Sequence, residues 1–290
     1  MNSLRRIMDI HAVEPSDSVL DRLRERLAAW LCAHAPVAVG YSGGVDSAYL
    51  AVAARSTLGP DGVLAIIGRS PSYPAVQWET AREVARRFDV RVLELDTEEV
   101  DDPRYAANPS NRCYFCKSEL WGKLVPVARA HGFANVIDGT NADDLTDWRP
   151  GAQAAHEHGV ASPLAQLGFT KLHIREASRL LGLPTWQQPS SPCLSSRLPY
   201  GVAVTRERLR QVERAESALR ALGIAGDLRV RYHEEVARVE LGAAELPRWL
   251  DPVRFTALRD AVVGTGFERV ALDLRGFRSG SLNVLHGVST

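Results

Sequence analysis

Ser42-Gly-Gly-Val-Asp-Ser47 stands between an apolar run, Pro36 to Tyr41, and a helix-forming stretch, Ala48 to Ser56. Gly43 and Gly44 let the backbone approach a phosphate closely, and successive N–H groups at a helix N-terminus form an anion nest. The hydroxyls of Ser42 and Ser47 add hydrogen bonds, and Asp46 is placed to help position a magnesium ion. The string matches neither GxxxxGK[ST] nor GxGxxG. Two more segments suit a nucleotide. Gly68-Arg69-Ser70 ends the next apolar run, and Asp138-Gly139-Thr-Asn141-Ala-Asp-Asp144 ends a later one. Taken alone, that acidic loop reads as a solvated turn with Asx hydrogen bonds. Its place after a strand moves it toward the phosphates.

Sulfur is the second chemistry on offer. The chain has four cysteines, Cys32, Cys113, Cys116 and Cys193, too few for a disulfide scaffold at this length. Asn111-Arg-Cys113-Tyr-Phe-Cys116-Lys117 is a CxxC opening a helix, which by itself suits zinc, iron–sulfur or redox chemistry. A structural zinc needs four protein ligands. Cys113, Cys116 and Cys193 supply three, with no histidine beside them, and three thiolates with one vacant corner suit a 4Fe–4S cluster. Cys193 lies in Ser191-Pro-Cys-Leu-Ser-Ser-Arg197, where Arg197 is expected to favour the thiolate. Cys32 falls on the apolar face of an opening helix, Leu20 to Cys32, and is expected to be a small buried hydrophobe.

The elements that must hold these residues alternate. Apolar runs at 36–41, 63–67, 91–95 and 135–138 are separated by helical patterns at 48–56, 75–88 and 117–131, and a further helix spans 171–181. Alternation of this kind predicts an α/β fold, a doubly wound, mostly parallel sheet with helices on both faces. Ligands of such sheets bind at the carboxyl ends of the strands. After a Pro- and Ser-rich loop at 189–201 the pattern becomes helix 205–222, strands 228–232 and 236–241, helix 252–265 and strand 270–274. That predicts a large domain over residues 1–200 and a small α+β domain over 201–290. Trp78 and Trp121 fall on helices and read as core.

Composition narrows the partners. Of 290 residues, 45% are apolar and 24% charged, and 35 basic residues balance 35 acidic ones. Zero net charge argues against a long polyanion such as nucleic acid as partner. No apolar run reaches the roughly 18 residues of a membrane span, and Met1 to Val13 has no signal-peptide core. The expectation is a cytoplasmic protein that does not engage the membrane.

Taken together, the motifs resemble a known family. SGGVDS resembles the loop of the PP-loop ATP pyrophosphatase superfamily, whose members leave AMP on a carboxylate or carbonyl oxygen. Adding NRCYFCK, DGTNADD with Arg149-Pro-Gly151, SPCLSSR, Arg229-Val-Arg231 with Ala237-Arg-Val-Glu240, and Leu272 to Gly280, the chain from about Leu20 to Asn283 resembles LarE-like sulfur transferases. These convert pyridinium-3,5-dicarboxylic acid mononucleotide to its thiocarboxylate during nickel-pincer nucleotide cofactor synthesis. One form of that family gives up its own cysteine sulfur. Another carries the extra CxxC and a 4Fe–4S cluster, and the three cysteines place this chain with the second.

The resemblance implies ATP and magnesium at Ser42, Gly43, Gly44, Asp46 and Ser47. Around them it sets Gly68, Arg69 and Ser70, and Gly139, Asn141 and Asp144. It makes Cys113, Cys116 and Cys193 cluster ligands and catalytic groups, fed by sulfide or another sulfur donor, in a homo-oligomer. Arg229 and Arg231, two apart on a strand, share one face and suit a substrate phosphate or carboxylate. The competing reading is an edge strand wearing surface charge. Arg197 is expected as an anion clamp and Glu240 as a metal ligand, with Arg112 and Lys117 as further cations. A tRNA thiolase shares the adenylating loop and is the alternative enzyme. An ammonia-using synthetase would leave the cysteines unexplained, and a non-catalytic nucleotide-binding regulator is the alternative outside enzymology.

Overall fold

The structure, a computed structural model, describes residues 18–146, 150–189 and 192–278. Arg149, Ser191 and the stretch from 279 onward, with the end of the last motif, lie outside the described residues. The chain opens with α1 (Val19–His34), capped where the Ser18 hydroxyl accepts the Asp21 N–H at 3.1 Å. Its buried stripe is Leu23, Leu27 and Leu31. Cys32 does not join that stripe: it is exposed, because one residue turns a helix by about 100° from the inward Leu31. The expectation of a buried Cys32 is therefore corrected.

Next come β1 (Val37–Gly40), α2 (Val45–Leu58), β2 (Val63–Arg69), α3 (Ala75–Arg87) and β3 (Val92–Asp96). A 3-10 turn (Glu99–Asp101) and α4 (Pro103–Ala106) lead to α5 (Arg112–Ala130) and β4 (Asn135–Ile137). The strands form one parallel sheet in the order β3-β2-β1-β4. Each central strand is buried on both faces, so its alternate residues feed two cores. Val37, Val39, Val63, Ala65 and Ile67 join α1, α2 and α3, while Ala38, Leu64 and Ile66 join Trp121, Leu124 and Ala128 of α5. The chain leaves β1 toward β2 on one side and returns through β4 on the other. That reversal opens a crevice at the carboxyl ends of β1 and β4.

The rest of the first layer is a 3-10 turn (Ala142–Thr146), α6 (Pro150–Glu157), α7 (Pro163–Leu167), α8 (Lys171–Leu180) and a 3-10 turn (Pro184–Gln187). Cys193 caps another short turn (Leu194–Arg197). The chain then forms α9 (Arg206–Ala221), β5 (Leu228–His233), β6 (Val236–Leu241), α10 (Leu246–Trp249), α11 (Pro252–Val263) and β7 (Arg269–Leu272). These strands make a second, mixed sheet, β5 antiparallel to β6 and β6 parallel to β7. Its core of Leu209, Val212, Val230, Val239, Leu258 and Phe267 also takes in Val100, Tyr105, Leu194 and Leu198. The cysteine loop is thus rooted in the second core. A parallel α/β sheet with a small mixed sheet after it is the architecture expected from the sequence. No helix of the described residues is long and apolar enough to cross a membrane.

Candidate functional site

One cavity of about 670 Å³ opens at the carboxyl ends of β1, β2 and β4. Ser42, Asp46, Ser47, Gly68, Ser70, Gly139 and Asp144 line it, and so do Cys113, Cys116 and Cys193. Two motif sets that are far apart in sequence therefore share one wall.

At the glycine loop, Gly43 has φ +68° and lies so close to Ala81 that a Cβ would meet it at 2.5 Å. Only glycine fits that left-handed turn without moving α3. The Ser42 N–H donates to Ser47 Oγ at 3.2 Å, the two hydroxyls lie 3.1 Å apart, and Ser47 Oγ donates to the Gly44 carbonyl at 3.2 Å. Tyr73 Oη and Gln77 Nε2 both donate to the Ser42 carbonyl, at 2.8 and 2.9 Å. The loop is thereby pinned from behind with its N–H groups at the start of α2, an arrangement that attracts anions. Gly139 presses against it: a Cβ there would lie 2.8 Å from the Ser47 nitrogen.

Asp46 accepts from Lys171 Nζ at 2.5 Å and from Asn141 Nδ2 at 3.3 Å. Asp144 accepts the Asn141 N–H at 3.1 Å. Among the described residues no three His, Cys, Asp or Glu side chains converge on one point to hold a metal ion. A magnesium ion at Asp46 would complete its shell with phosphate oxygens and water, as magnesium commonly does.

Cys113 and Cys116 lie one turn apart at the start of α5, and Cys193 comes from the loop opposite. That loop is bonded on both sides. The Leu194 N–H donates to the Ser72 carbonyl at 2.8 Å, beyond the end of β2. Arg231 Nη1 donates to the Ser196 carbonyl at 2.9 Å from β5. Tyr105 Oη and Ser195 Oγ, both buried, lie 2.6 Å apart. Burial raises the Cys116 thiol well above the usual thiol range, and the Glu99 carboxylate adds to it. No fourth cysteine and no histidine lines the cavity among the described residues. Three thiols with no cavity-lining histidine among the described residues are a donor set of the iron–sulfur type and one ligand short of a structural zinc site.

The arginines expected at a substrate sit elsewhere. Arg197 is 2% exposed and grips Glu216 with Nε and Nη2 at 2.8 and 2.9 Å. Its Nη1 donates to the carbonyls of Pro192 and Cys193, at 2.6 and 3.1 Å. It therefore holds the backbone of the cysteine loop, and Glu216 matches the charge expected to act on the sulfur. Arg231 and Arg238 share Glu240, at 2.9 and 3.0 Å. Arg229 lies 4.9 Å from the Phe277 ring, and burial lowers its pKa to about 10, helped by Arg197 and Arg231. Arg229 and Arg231 do share a face, and although β5 is an edge strand both are buried. Arg197 and Arg231, the latter paired with Glu240, support the Cys193 loop, and none of Arg197, Arg229, Arg231 and Glu240 lines the cavity.

Arg69 also points away, to Glu94 and Asp96 at 3.5 Å and over the Trp78 ring at 5.3 Å. Gly43, Gly44 and Asn141 shape the site from outside its lining. Trp121, at 1% exposure, is core as expected and still borders the cavity. Sequence reasoning missed Glu99, Lys171 and Glu216. The helix at 171 was visible, but no local pattern said which carboxylate Lys171 would face.

Comparison with known proteins now adds to the geometry. The NAD synthase family model matches residues 18–110. An uncharacterized protein of Synechocystis sp. is 47% identical over 84% of this chain and 91% of its own length. An uncharacterized protein of Methanocaldococcus jannaschii is 28% identical over 71% of this chain and 77% of its own. The pyridinium-3,5-bisthiocarboxylic acid mononucleotide synthase of Lactiplantibacillus plantarum is 34% identical over 85% of this chain and 88% of its own length. With that identity and coverage, and with the glycine loop and cysteines in one cavity, the chain belongs to the family of the pyridinium-3,5-bisthiocarboxylic acid mononucleotide synthase, the LarE family.

Proposed function

We propose that the chain is an ATP-dependent sulfur transferase acting on pyridinium-3,5-dicarboxylic acid mononucleotide. The observation that carries this reading is the single cavity lined by both the Ser42–Ser47 loop and the three cysteines. A substrate carboxylate oxygen attacks the α-phosphorus of ATP, and pyrophosphate leaves. A sulfur nucleophile then attacks the carboxyl carbon. The carbon–oxygen bond breaks, and its electron pair departs on the phosphate oxygen of AMP.

In this reading Ser42, Gly43, Gly44 and Ser47 hold the polyphosphate by hydrogen bonds, with Asp46 positioning magnesium. Gly68 and Ser70 flank the adenosine side, with Arg69 between them turned outward, and Gly139, Asn141 and Asp144 close the phosphate side. Cys113, Cys116 and Cys193 would hold a 4Fe–4S cluster, which when bound supplies an iron site for a sulfide. Arg197 and Arg231, with Glu240 behind Arg231, serve the substrate side by fixing the Cys193 loop, and Arg229 packs beside them.

The co-substrate is sulfide or a protein sulfur donor. Zero net charge supports a small-molecule substrate over RNA. A homo-oligomer, and a division into residues 1–200 and 201–290, belong to the same proposal; light scattering and limited proteolysis test them.

The deciding experiment incubates anaerobically reconstituted protein with the mononucleotide, ATP, magnesium and sulfide. Pyrophosphate release together with a thiocarboxylate product, read by mass spectrometry, is expected. Release that depends on tRNA and not on the mononucleotide would sink this reading in favour of a tRNA thiolase.

A further inference from the structure

Arg112 is a buried cation that pairs with no carboxylate among the described residues. The residue opens α5 immediately before Cys113, is 5% exposed, and still borders the cavity. Its Nη1 donates to Asn108 Oδ1 at 2.7 Å, and its guanidinium lies 5.2 Å from the Tyr200 ring. Its Nε is buried and has no hydrogen-bond partner among the described residues. Both of its named partners are neutral. The contrast with Arg197, matched by Glu216, and Arg231, matched by Glu240, is direct.

Asn108 does not lend a charge. It is fully buried, sits at φ +54°, and spends its Nδ2 on the carbonyls of Pro199 and Val202 at 2.7 and 2.9 Å. Its Oδ1 is thereby aimed at Arg112 as a fixed neutral acceptor, and it orients the guanidinium without discharging it. Arginine keeps its proton inside proteins, so burial cannot neutralise it. A buried charge is tolerated when an opposite charge or full hydrogen bonding answers it, and among the described residues no carboxylate pairs with Arg112 and its Nε is unbonded. The unmet hydrogen-bond capacity at Arg112 Nε is one that an anionic ligand in the cavity can answer.

The position selects the ligand. Arg112 directly precedes Cys113 on α5 and lines the cavity together with Cys113, Cys116 and Cys193, so the guanidinium lies at the sulfur end. An adenylated carboxylate would extend from the Ser42–Ser47 loop, so the group entering from the Arg112 side is the attacking one. We propose that Arg112 binds the incoming sulfur nucleophile, a small monoanion of the hydrosulfide class, in the cysteine-lined end of the cavity. This rests on the sulfur-transfer reading above.

Two measurements test it. The first follows thiocarboxylate formation against sulfide concentration for the unmodified protein, Arg112→Gln and Arg112→Lys. Loss of one charge-assisted contact raises the half-saturating sulfide concentration about ten- to a hundred-fold in Arg112→Gln, with partial rescue in Arg112→Lys. The KM for ATP stays where it was, which also reports a folded variant. A folded Arg112→Gln with unchanged sulfide dependence overturns the proposal. The second measurement needs no variant. Crystals of the unmodified protein soaked in bromide should show an anomalous peak against the Arg112 guanidinium, and its absence overturns the proposal if Arg112→Gln does not fold. The two readings fail separately. If the unmodified protein makes no thiocarboxylate, sulfur transfer falls while a bromide peak still marks an anion site. If it makes product and Arg112→Gln responds to sulfide normally, only the role of Arg112 falls.

Discussion

Lys171, the first residue of α8, reaches the glycine loop and bonds Asp46 at 2.5 Å. Both side chains are partly exposed, so the pair can open when another cation or anion competes. With magnesium taking Asp46, the ammonium is free to follow the polyphosphate. Lys171→Met should raise the KM for ATP about ten-fold, the equivalent of one charge-assisted hydrogen bond. Asp46→Asn should lower kcat for pyrophosphate release about a hundred-fold, two such contacts. Steady-state pyrophosphate assays separate the two effects. An unchanged ATP KM in Lys171→Met would remove Lys171 from the site.

Gly139 sets the spacing between the β4 loop and the glycine loop. A methyl there would lie 2.8 Å from the Ser47 nitrogen and 3.1 Å from the Asp46 carbonyl carbon. Backbone on both sides cannot yield by rotating a side chain, so one loop must shift. Gly139→Ala is expected to lower kcat/KM for ATP by about a hundred-fold, the order seen when catalytic groups are displaced by about 1 Å. ATP titration by calorimetry together with the rate assay checks this.

The cysteines differ in accessibility. Cys32 and Cys113 are exposed, whereas burial holds the Cys116 thiol above the ordinary range. The thiolate is the reactive form, and a raised pKa keeps Cys116 protonated at neutral pH. In metal-free protein, alkylation near pH 8 should mark Cys32 before Cys116, and the Cys116 rate should keep climbing as pH rises further. Peptide mass spectrometry reads both. Cys113→Ala, Cys116→Ala and Cys193→Ala should each lose iron and thiocarboxylate formation together; full iron and full activity in any one removes it from the ligand set.

Glu216 answers the buried Arg197 with two hydrogen bonds and also accepts the Val230 N–H at 3.0 Å. Glu216→Ala leaves Arg197 buried and unmatched, which costs about 3 kcal/mol. Urea unfolding should show a lower midpoint with an unchanged slope, the product of shift and slope giving that loss. Because Arg197 holds the Cys193 carbonyl, iron retention should fall with stability, a coupling that a general packing defect would not produce.

Local features were legible in the sequence, and long-range pairings were not. The Ser42–Ser47 loop and the CxxC are short strings whose backbone demands can be read in place. The strands of the large sheet follow from apolar runs flanked by helical periods. Cys32 was misread because helical spacing tolerates one residue of slip, and one residue turned it outward. Arg197 was read as acting on its neighbour's sulfur, since its partner Glu216 lies on α9 and becomes adjacent only after the loop folds back. Glu99 carried no signal, because a buried carboxylate accepting from Ser70 and Ser72 looks like any acidic residue in a turn. Buried charge is invisible to hydropathy patterns, so the whole Arg197–Glu216 and Arg231–Glu240 layer had to come from the structure.

The Cys193 loop is tied to Ser72, just beyond β2 of the large sheet, and to Arg231 in the small one, while Cys113 and Cys116 belong to α5. A cluster held by the three sulfurs, as proposed, would work as a clamp across the seam between two cores. Ligands that bind only the folded state stabilise it, and metal sites assembled on folding share that energy with the fold. Loading the sulfur site would stiffen the seam and raise the melting temperature, and emptying it would slacken the same seam. Under the proposed function, the machinery for sulfur transfer and the union of the two sheets are one mechanical element.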